Sequence, residues 1–262
     1  MNFPDLAQRL ISAKRERRTV GKLTEREPTL TPDQAYQIQN LLLDAALGSG
    51  ERLSGYKMGL TSRAKQKDVG VNQSIRGFLL KSFELSLGMP LDLSTRIHPR
   101  VEPEIAVVMG RPLKGKEVTL QDVVGAAQGI FPAFEVIDSR FDGFSFSLPD
   151  VIADNCSGSG YAIGTEDFKP RLTDLPLLGV LVKKNGVLEH CGIPAAVLGH
   201  PLISVVELVH ALAETGRGLE AGQVILTGGI TASVTVKNGD VVEFVWPGTS
   251  LHVKAEGSCA AD

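Results

Sequence analysis

Apolar positions along the chain change period near residue 53. Before it they recur at helical spacing. Leu6 and Ile11 mark a short amphipathic helix over residues 3–13, and Ala35, Ile38, Leu41, Leu42 and Ala45 form one face of a second. Thr31 can cap this second helix, Pro32 suits its first turn, Gln34 completes a capping box, and the glycines at 48 and 50 stop it. The pattern predicts an N-terminal helical lobe over residues 1–52. From Leu53 onward the apolar runs shorten, alternate with period two and are separated by Gly, Pro and Asn, which predicts a β-rich main domain over residues 53–262.

Strands are expected over residues 56–59, 79–83, 98–108, 133–137 and 224–227. Asn185-Gly186 and Asn238-Gly239 each sit between two apolar runs and predict two hairpins with type I′ turns. Short helices are expected from Thr61 or Ser62 to about residue 68, after Thr119 over residues 120–129, and over residues 204–215 with Gly216 as the C-terminal cap. The tail after Lys254 reads as disordered. Strands and helices do not alternate regularly, so the class is α+β rather than doubly wound α/β.

One run carries candidate chemistry, His98-Pro99-Arg100-Val101-Glu102-Pro103-Glu104-Ile105. Residues two apart on a strand share a face, so Glu102 and Glu104 project together. Adjacent carboxylates in an apolar segment repel unless a cation or protons neutralise them, and hard oxygen donors suit Mg²⁺ or Mn²⁺. The same pattern also fits the polar edge of a half-buried strand. Glu135, on another expected strand, would complete a three-carboxylate face, although alone it reads as a surface glutamate. Lys57, among apolar neighbours, is either a solvated lysine or an acid, base or electrostatic clamp beside that face. The turn Asp154-Asn155-Cys156-Ser157-Gly158 could present hydroxyl and backbone N–H groups to a substrate carboxylate, or be a tight turn with side-chain caps.

Composition removes several alternatives. A net charge of -3 over 262 residues provides no positive field for nucleic acid. The three cysteines, Cys156, Cys191 and Cys259, lack metal-ligand spacing and fit a reducing compartment. No uninterrupted apolar run approaches about 18 residues. The N-terminus lacks a signal-type apolar core, and its basic stretch at 14–18 reads as a solvated helix end. A soluble cytoplasmic protein without membrane or nucleic-acid partners is the expectation. GxGxxG after a strand, the P-loop, GxSxG and HExxH are all missing, and the five histidines show no paired spacing.

The segments GYKMGLTSRAK, HPRVEPEIAVV, FPAFEVIDSR, SLPDVIADNCSGS and LTGGI together resemble the hydratase/decarboxylase branch of the fumarylacetoacetase superfamily. That resemblance implies a mixed β-sheet roll or barrel-like core with an N-terminal helical lobe. It implies that Glu102, Glu104 and Glu135 bind Mg²⁺ or Mn²⁺ and that Lys57 is catalytic. The same segments supply Leu60, Arg63, Asp154, Ser157 and Thr227 as expected substrate-binding residues. The implied activity is metal-dependent decarboxylation of 2-oxo-3-hexenedioate to 2-hydroxypenta-2,4-dienoate in meta-cleavage degradation of aromatic compounds. The alternative is hydration of 2-hydroxypenta-2,4-dienoate. Hydratases of the branch carry an acid where Ile75 stands here, within Gly70-Val71-Asn72-Gln73-Ser74-Ile75-Arg76, and an apolar residue there suits decarboxylation. A homo-oligomer and a complex with the hydratase are the implied partners, beside the small 2-oxo dicarboxylate.

Overall fold

A computed structural model describes residues 1–68 and 73–260. The chain opens with α1 (Phe3–Glu16), α2 (Leu23–Arg26) and α3 (Pro32–Gly48). The capping box of α3 is formed: Gln34 N–H donates to Thr31 Oγ1 at 3.3 Å, and Thr31 N–H donates to Gln34 Oε1 at 3.0 Å. There follow β1 (Leu53–Gly59), α4 (Arg63–Asp68), β2 (Ile75–Leu80), β3 (Leu91–Asp92), β4 (Arg100–Met109), α5 (Leu120–Ala126) and β5 (Ala127–Ile137). Next come α6 (Leu148–Ala153), β6 (Gly158–Ile163), β7 (Val180–Lys184), β8 (Val187–Gly192) and α7 (Pro201–Ala213). The chain closes with β9 (Val224–Leu226), β10 (Val234–Thr235), β11 (Val241–Trp246) and β12 (Thr249–Glu256).

The strands form two mixed sheets. One has seven strands in the order β2-β1-β9-β4-β5-β6, with β10 also on β4, and the other has five in the order β3-β12-β11-β7-β8. Val101, Ile105, Val107, Phe134 and Val136 of the first sheet share one core with Val182, Val242, Phe244 and Val253 of the second, and the Phe134 and Phe244 rings lie 5.8 Å apart. Each such side chain contributes roughly 1.5–3 kcal/mol on burial. Because strand side chains alternate, packing these residues inward turns Glu102, Glu104 and Glu135 to the opposite face. A second cluster joins Leu6, Leu10, Leu23 and Ile38 of the N-terminal helices to Phe141, Ile152 and Cys156. The helices therefore rest on α6 and the turn after it. The stretch Pro194–Ala213 is long and apolar enough to cross a membrane by length and composition. Within it, however, Leu202, Val205, Leu208, Val209 and Leu212 are buried in the main core.

Several expectations need correction. Asn185 and Gly186 take the positive φ values, 52° and 81°, that a type I′ turn requires, and β7 and β8 pair across them. Asn238-Gly239 does not join a hairpin. Val234 and Thr235 pair instead with Val101 and Arg100, while β11 pairs with β12 and β7. The open edge at the start of β4 takes β10, so the chain crosses between sheets here, in a turn closed by Asp240 Oδ2 accepting from Lys237 N–H at 2.8 Å. The tail after Lys254 is ordered through residue 260: Ala255 and Glu256 pair with β3, and Ala260 N–H donates to Arg96 at 3.1 Å. The helix after Thr119 stops at Ala126, because pairing with β4 draws Ala127 and Gly129 into β5. The strand expected over 79–83 ends at Leu80 and gives way to a 3₁₀ turn, Lys81–Phe83.

Candidate active site and metal centre

β4 and β5 run antiparallel with Glu102 opposite Glu135 and Glu104 opposite Ala133, so all three acids leave one face. One carboxylate oxygen from each lies within 4.8 Å of the others. Glu104 and Glu135 are fully buried, and Glu102 borders a cavity. Gly228 N–H donates to Glu104 Oε2 at 2.7 Å. Glu104 Oε1 and both oxygens of Glu135 are buried and accept no hydrogen bond. Such oxygens are costly to leave unpaired. Three convergent hard donors with free lone pairs suit a divalent cation, and these residues could hold one.

The electrostatics agree. Burial first, and then the charge of Glu135, pushes Glu104 well above the usual carboxylate range. Burial likewise pushes Glu135 up to about 7, with Lys57 pulling the other way. The Gly228-Gly229 pair makes room for this cluster. Gly228 sits at φ 113°, which brings its N–H to Glu104, and a Cβ on Gly229 would collide with the Glu102 carboxylate.

Lys57 lies on β1 and is 4 % exposed. Its Nζ is 3.0 Å from Glu135 Oε2, close enough for an ion pair but not aligned as a hydrogen bond, and it donates to Cys156 O at 3.3 Å. Burial opposes its charge, yet Glu135, Cys156, Glu104 and Glu102 outweigh that and raise its pKa above the ordinary lysine value. The Cys156 carbonyl reaches the ammonium because Asn155, Cys156 and Ser157 take successive left-handed conformations, at φ 51°, 51° and 59°. Such a run is unfavourable for residues other than glycine. It is held by side chains: Asn155 accepts from Phe78 N–H at 2.7 Å and donates to Phe78 O at 3.0 Å. Arg140 pairs with Asp154 just before the turn. Asp138 accepts from the N–H groups of Ile97 and His98, at 3.0 and 2.8 Å, and His98 Nε2 is 2.7 Å from Ser139 O. The VIDSR and ADNCS segments are therefore largely braces around the site.

A cavity of about 260 Å³ is lined by Lys57, Glu102, Leu60, Ile75, Arg100 and Ser157, with Phe144, Phe146, Ile137 and Val151 completing an apolar portion. Ser157 Oγ is buried without a partner and is available to a ligand. Of the expected site residues, Lys57, Glu102, Glu104, Glu135, Leu60 and Ser157 are gathered here. Arg63 is exposed on α4 and does not line the cavity. Asp154 is committed to Arg140 and borders a different, larger cavity of about 480 Å³ between the N-terminal helices and β2, away from the acids. Thr227 is buried, its hydroxyl donating to Ile105 O at 3.0 Å, and it supports the sheet. Gly70, Val71 and Asn72 lie outside the described residues; Ile75 lines the cavity, whereas Arg76 stacks on Tyr36 at 4.1 Å. Sequence reasoning missed Phe144 and Phe146. The only signal for them is a pair of phenylalanines two positions apart in a glycine-containing loop, which names no function by itself.

The fold and this acid-lined face define the class. The chain belongs to the family described as Fumarylacetoacetate (FAA) hydrolase C-terminal, which it matches over residues 87–252, and the family fold agrees with the expected mixed-sheet core and N-terminal helices. More narrowly, it is 42% identical over 243 residues to a 4-oxalocrotonate decarboxylase of Pseudomonas putida, covering 93% of this chain and 92% of that protein. It is also 36% identical to a 2-hydroxyhexa-2,4-dienoate hydratase of Comamonas testosteroni, covering 92% of each. Among solved structures, 4-oxalocrotonate decarboxylase from Pseudomonas putida G7 complexed with magnesium and adipate superposes with a TM-score of 0.92 at 39% identity, covering 97% of both chains.

Proposed function

We propose that this chain is a divalent-metal-dependent carboxy-lyase that converts 2-oxo-3-hexenedioate (4-oxalocrotonate) to 2-hydroxypenta-2,4-dienoate and CO2. The observation that carries this reading is three convergent carboxylates, with buried oxygens that accept no hydrogen bond, beside a buried lysine on a cavity with an apolar portion. Glu102, Glu104 and Glu135 would hold Mg²⁺. When bound, the ion supplies Lewis-acid stabilisation of negative charge at the 2-oxo-acid end of the substrate.

The remaining work falls to the chain's own groups. Ser157 Oγ donates to a substrate carboxylate. Breaking the bond to the distal carboxylate sends its electron pair through the conjugated chain toward the 2-oxo oxygen. The fixed ammonium of Lys57 stabilises that charge without reorganising, and it can deliver the proton that completes the dienol. Ile75, Phe146 and Val151 keep water from the bond that breaks, and the CO2 that departs carries no charge to be solvated. An isoleucine at position 75 offers no proton for adding water to the product.

The ion could also be Mn²⁺. We further propose residues 1–52 as a helical lobe covering a catalytic domain of 53–262. The chain would work as a homo-oligomer in the cytoplasm, within meta-cleavage degradation of aromatic compounds, associated with the hydratase that consumes its dienol. The thiols of Cys156 and Cys191 are free, which fits a reducing compartment. The test is a parallel assay of purified protein with Mg²⁺. CO2 release from 2-oxo-3-hexenedioate, with the dienol as product, is expected. Water addition to 2-hydroxypenta-2,4-dienoate without CO2 release would replace this reading with a hydratase.

A further inference from the structure

We infer that Arg100 is the residue that recognises the second carboxylate of the substrate and so sets preference for a 2-oxo diacid over a 2-oxo monoacid. The inference rests on the reading above and names the group at the other end of the molecule. Arg100 and Glu102 are two residues apart on β4, with the wholly buried Val101 between them, so both project from the acid-bearing face. Two residues of strand span about 7 Å. The terminal carbons of an extended six-carbon diacid are separated by about 6 Å, from bonds of about 1.5 Å. A ligand whose 2-oxo-acid end lies at Glu102 therefore reaches Arg100 with its other end along the strand.

The guanidinium is prepared for this. Its Cζ lies 4.0 Å from the centroid of the Phe144 ring, which fixes its plane and leaves its N–H edges free. Phe144 is itself held, with the His98 ring tilted against it at 4.7 Å and Gly143 and Phe144 turned to positive φ. Among the described residues no hydrogen bond or ion pair takes the N–H groups of Arg100, and a planar fork of donors suits a carboxylate. Four other arginines are occupied or misplaced. Arg140 donates to Asp154 and to the carbonyl of Asp138; Arg96 donates to Ser159; Arg76 faces a different cavity; Arg63 is off the lining. Arg100 is the only arginine among the described residues that lines the cavity beside Lys57.

The test compares inhibition by 2-oxoadipate and by 2-oxohexanoate, which replaces the distal carboxylate with a methyl group. It uses the full chain with Mg²⁺, as wild type, Arg100→Lys and Arg100→Met. Wild type is expected to bind the diacid about 10- to 100-fold more tightly than the monoacid. Arg100→Met should erase that advantage while leaving the monoacid within about threefold, and Arg100→Lys should retain part of it. In turnover the loss should appear mainly as a raised KM for the diacid. If both inhibitors weaken together in Arg100→Met, or neither changes, the assignment is wrong, and unaltered melting and Mg²⁺ binding show that the variant is folded. A wild type that releases CO2 but shows no diacid preference overturns this inference alone. A wild type that binds neither probe overturns the functional reading beneath it as well.

Discussion

Replacing Glu104 with Gln should make the metal-free protein more stable at neutral pH while removing its response to metal. The substitution preserves shape, and the amide oxygen can still accept from Gly228 N–H. What it removes is a carboxyl that must either take up a proton on folding or be buried charged beside two others. Glu104 and Glu135 both have folded pKa values above their unfolded ones, so the folded state binds protons more tightly than the unfolded state. Stability without metal must therefore fall as pH rises from about 4.5 through 7 for Glu135, and fall further as Glu104 ionises. Holding Glu135 ionised against a pKa of about 7 costs on the order of 3 kcal/mol. Lys57 stays charged throughout this window and adds no slope. Chelated wild type should thus melt lower at pH 8 than at pH 5.5, and Mg²⁺ at about 100 times its Kd should restore about 2.7 kcal/mol, or roughly 5–10 °C in Tm. Glu104→Gln should flatten the decline in chelator, show no Mg²⁺-dependent rise, and lose turnover by at least about a hundredfold. Thermal melts across pH with chelator or Mg²⁺ read all three. A variant that keeps its Mg²⁺ shift and its turnover, or a chelated wild type with pH-independent stability, would refute the reasoning.

Lys57→Met should lower turnover by about 10²- to 10⁴-fold while tightening Mg²⁺ binding, because a cation 3.0 Å from Glu135 is gone; calorimetric titration showing weaker binding would contradict this. Asn155→Ala strands the N–H and C=O of Phe78 in the interior and should cost about 2–4 kcal/mol in urea denaturation. A loss below about 1 kcal/mol would show that the left-handed turn holds without its side-chain bridge. Arg140→Met leaves Asp154 buried with an uncompensated charge and should cost about 3–5 kcal/mol. Adding Asp154→Asn should recover part of that loss, and purely additive losses would mean that the pair does not act as a unit.

What was legible in the sequence follows from how local each signal is. The acids of β4 declare a shared face through period two alone, and Thr31 to Gln34 declares the start of α3 through a four-residue box. The join between Glu102 and Glu135 is a matter of register, which no stretch of either strand states by itself. Asn238-Gly239 misled because a turn dipeptide specifies a bend and not a partner, and the open edge of β4 provided a better one. Asp154 misled in another way. A buried acid in a motif can be a brace as easily as a ligand, and only the proximity of Arg140 decides between them. The aromatic loop around Phe144 became visible as part of the site only once β5 and α6 had brought it over Arg100.

The antiparallel register of β4 and β5 also governs how a protein of this kind can change over generations. Slipping either strand by one residue would turn its acids into the sheet-to-sheet core, so the three-acid face cannot drift by small steps; it is kept whole or lost. The irregularity in the ladder lies between Val108 and Met109, at the end of β4 far from Glu102, where an extra residue does the acids no harm. Phe144, Phe146 and the loop that carries them lie outside that ladder, and Ile75, the first residue of β2, lines the cavity from a different strand pair, so neither is bound by the β4–β5 register. Inheritance can therefore retune which bond is broken and which substrates enter, while the apparatus beneath stays fixed.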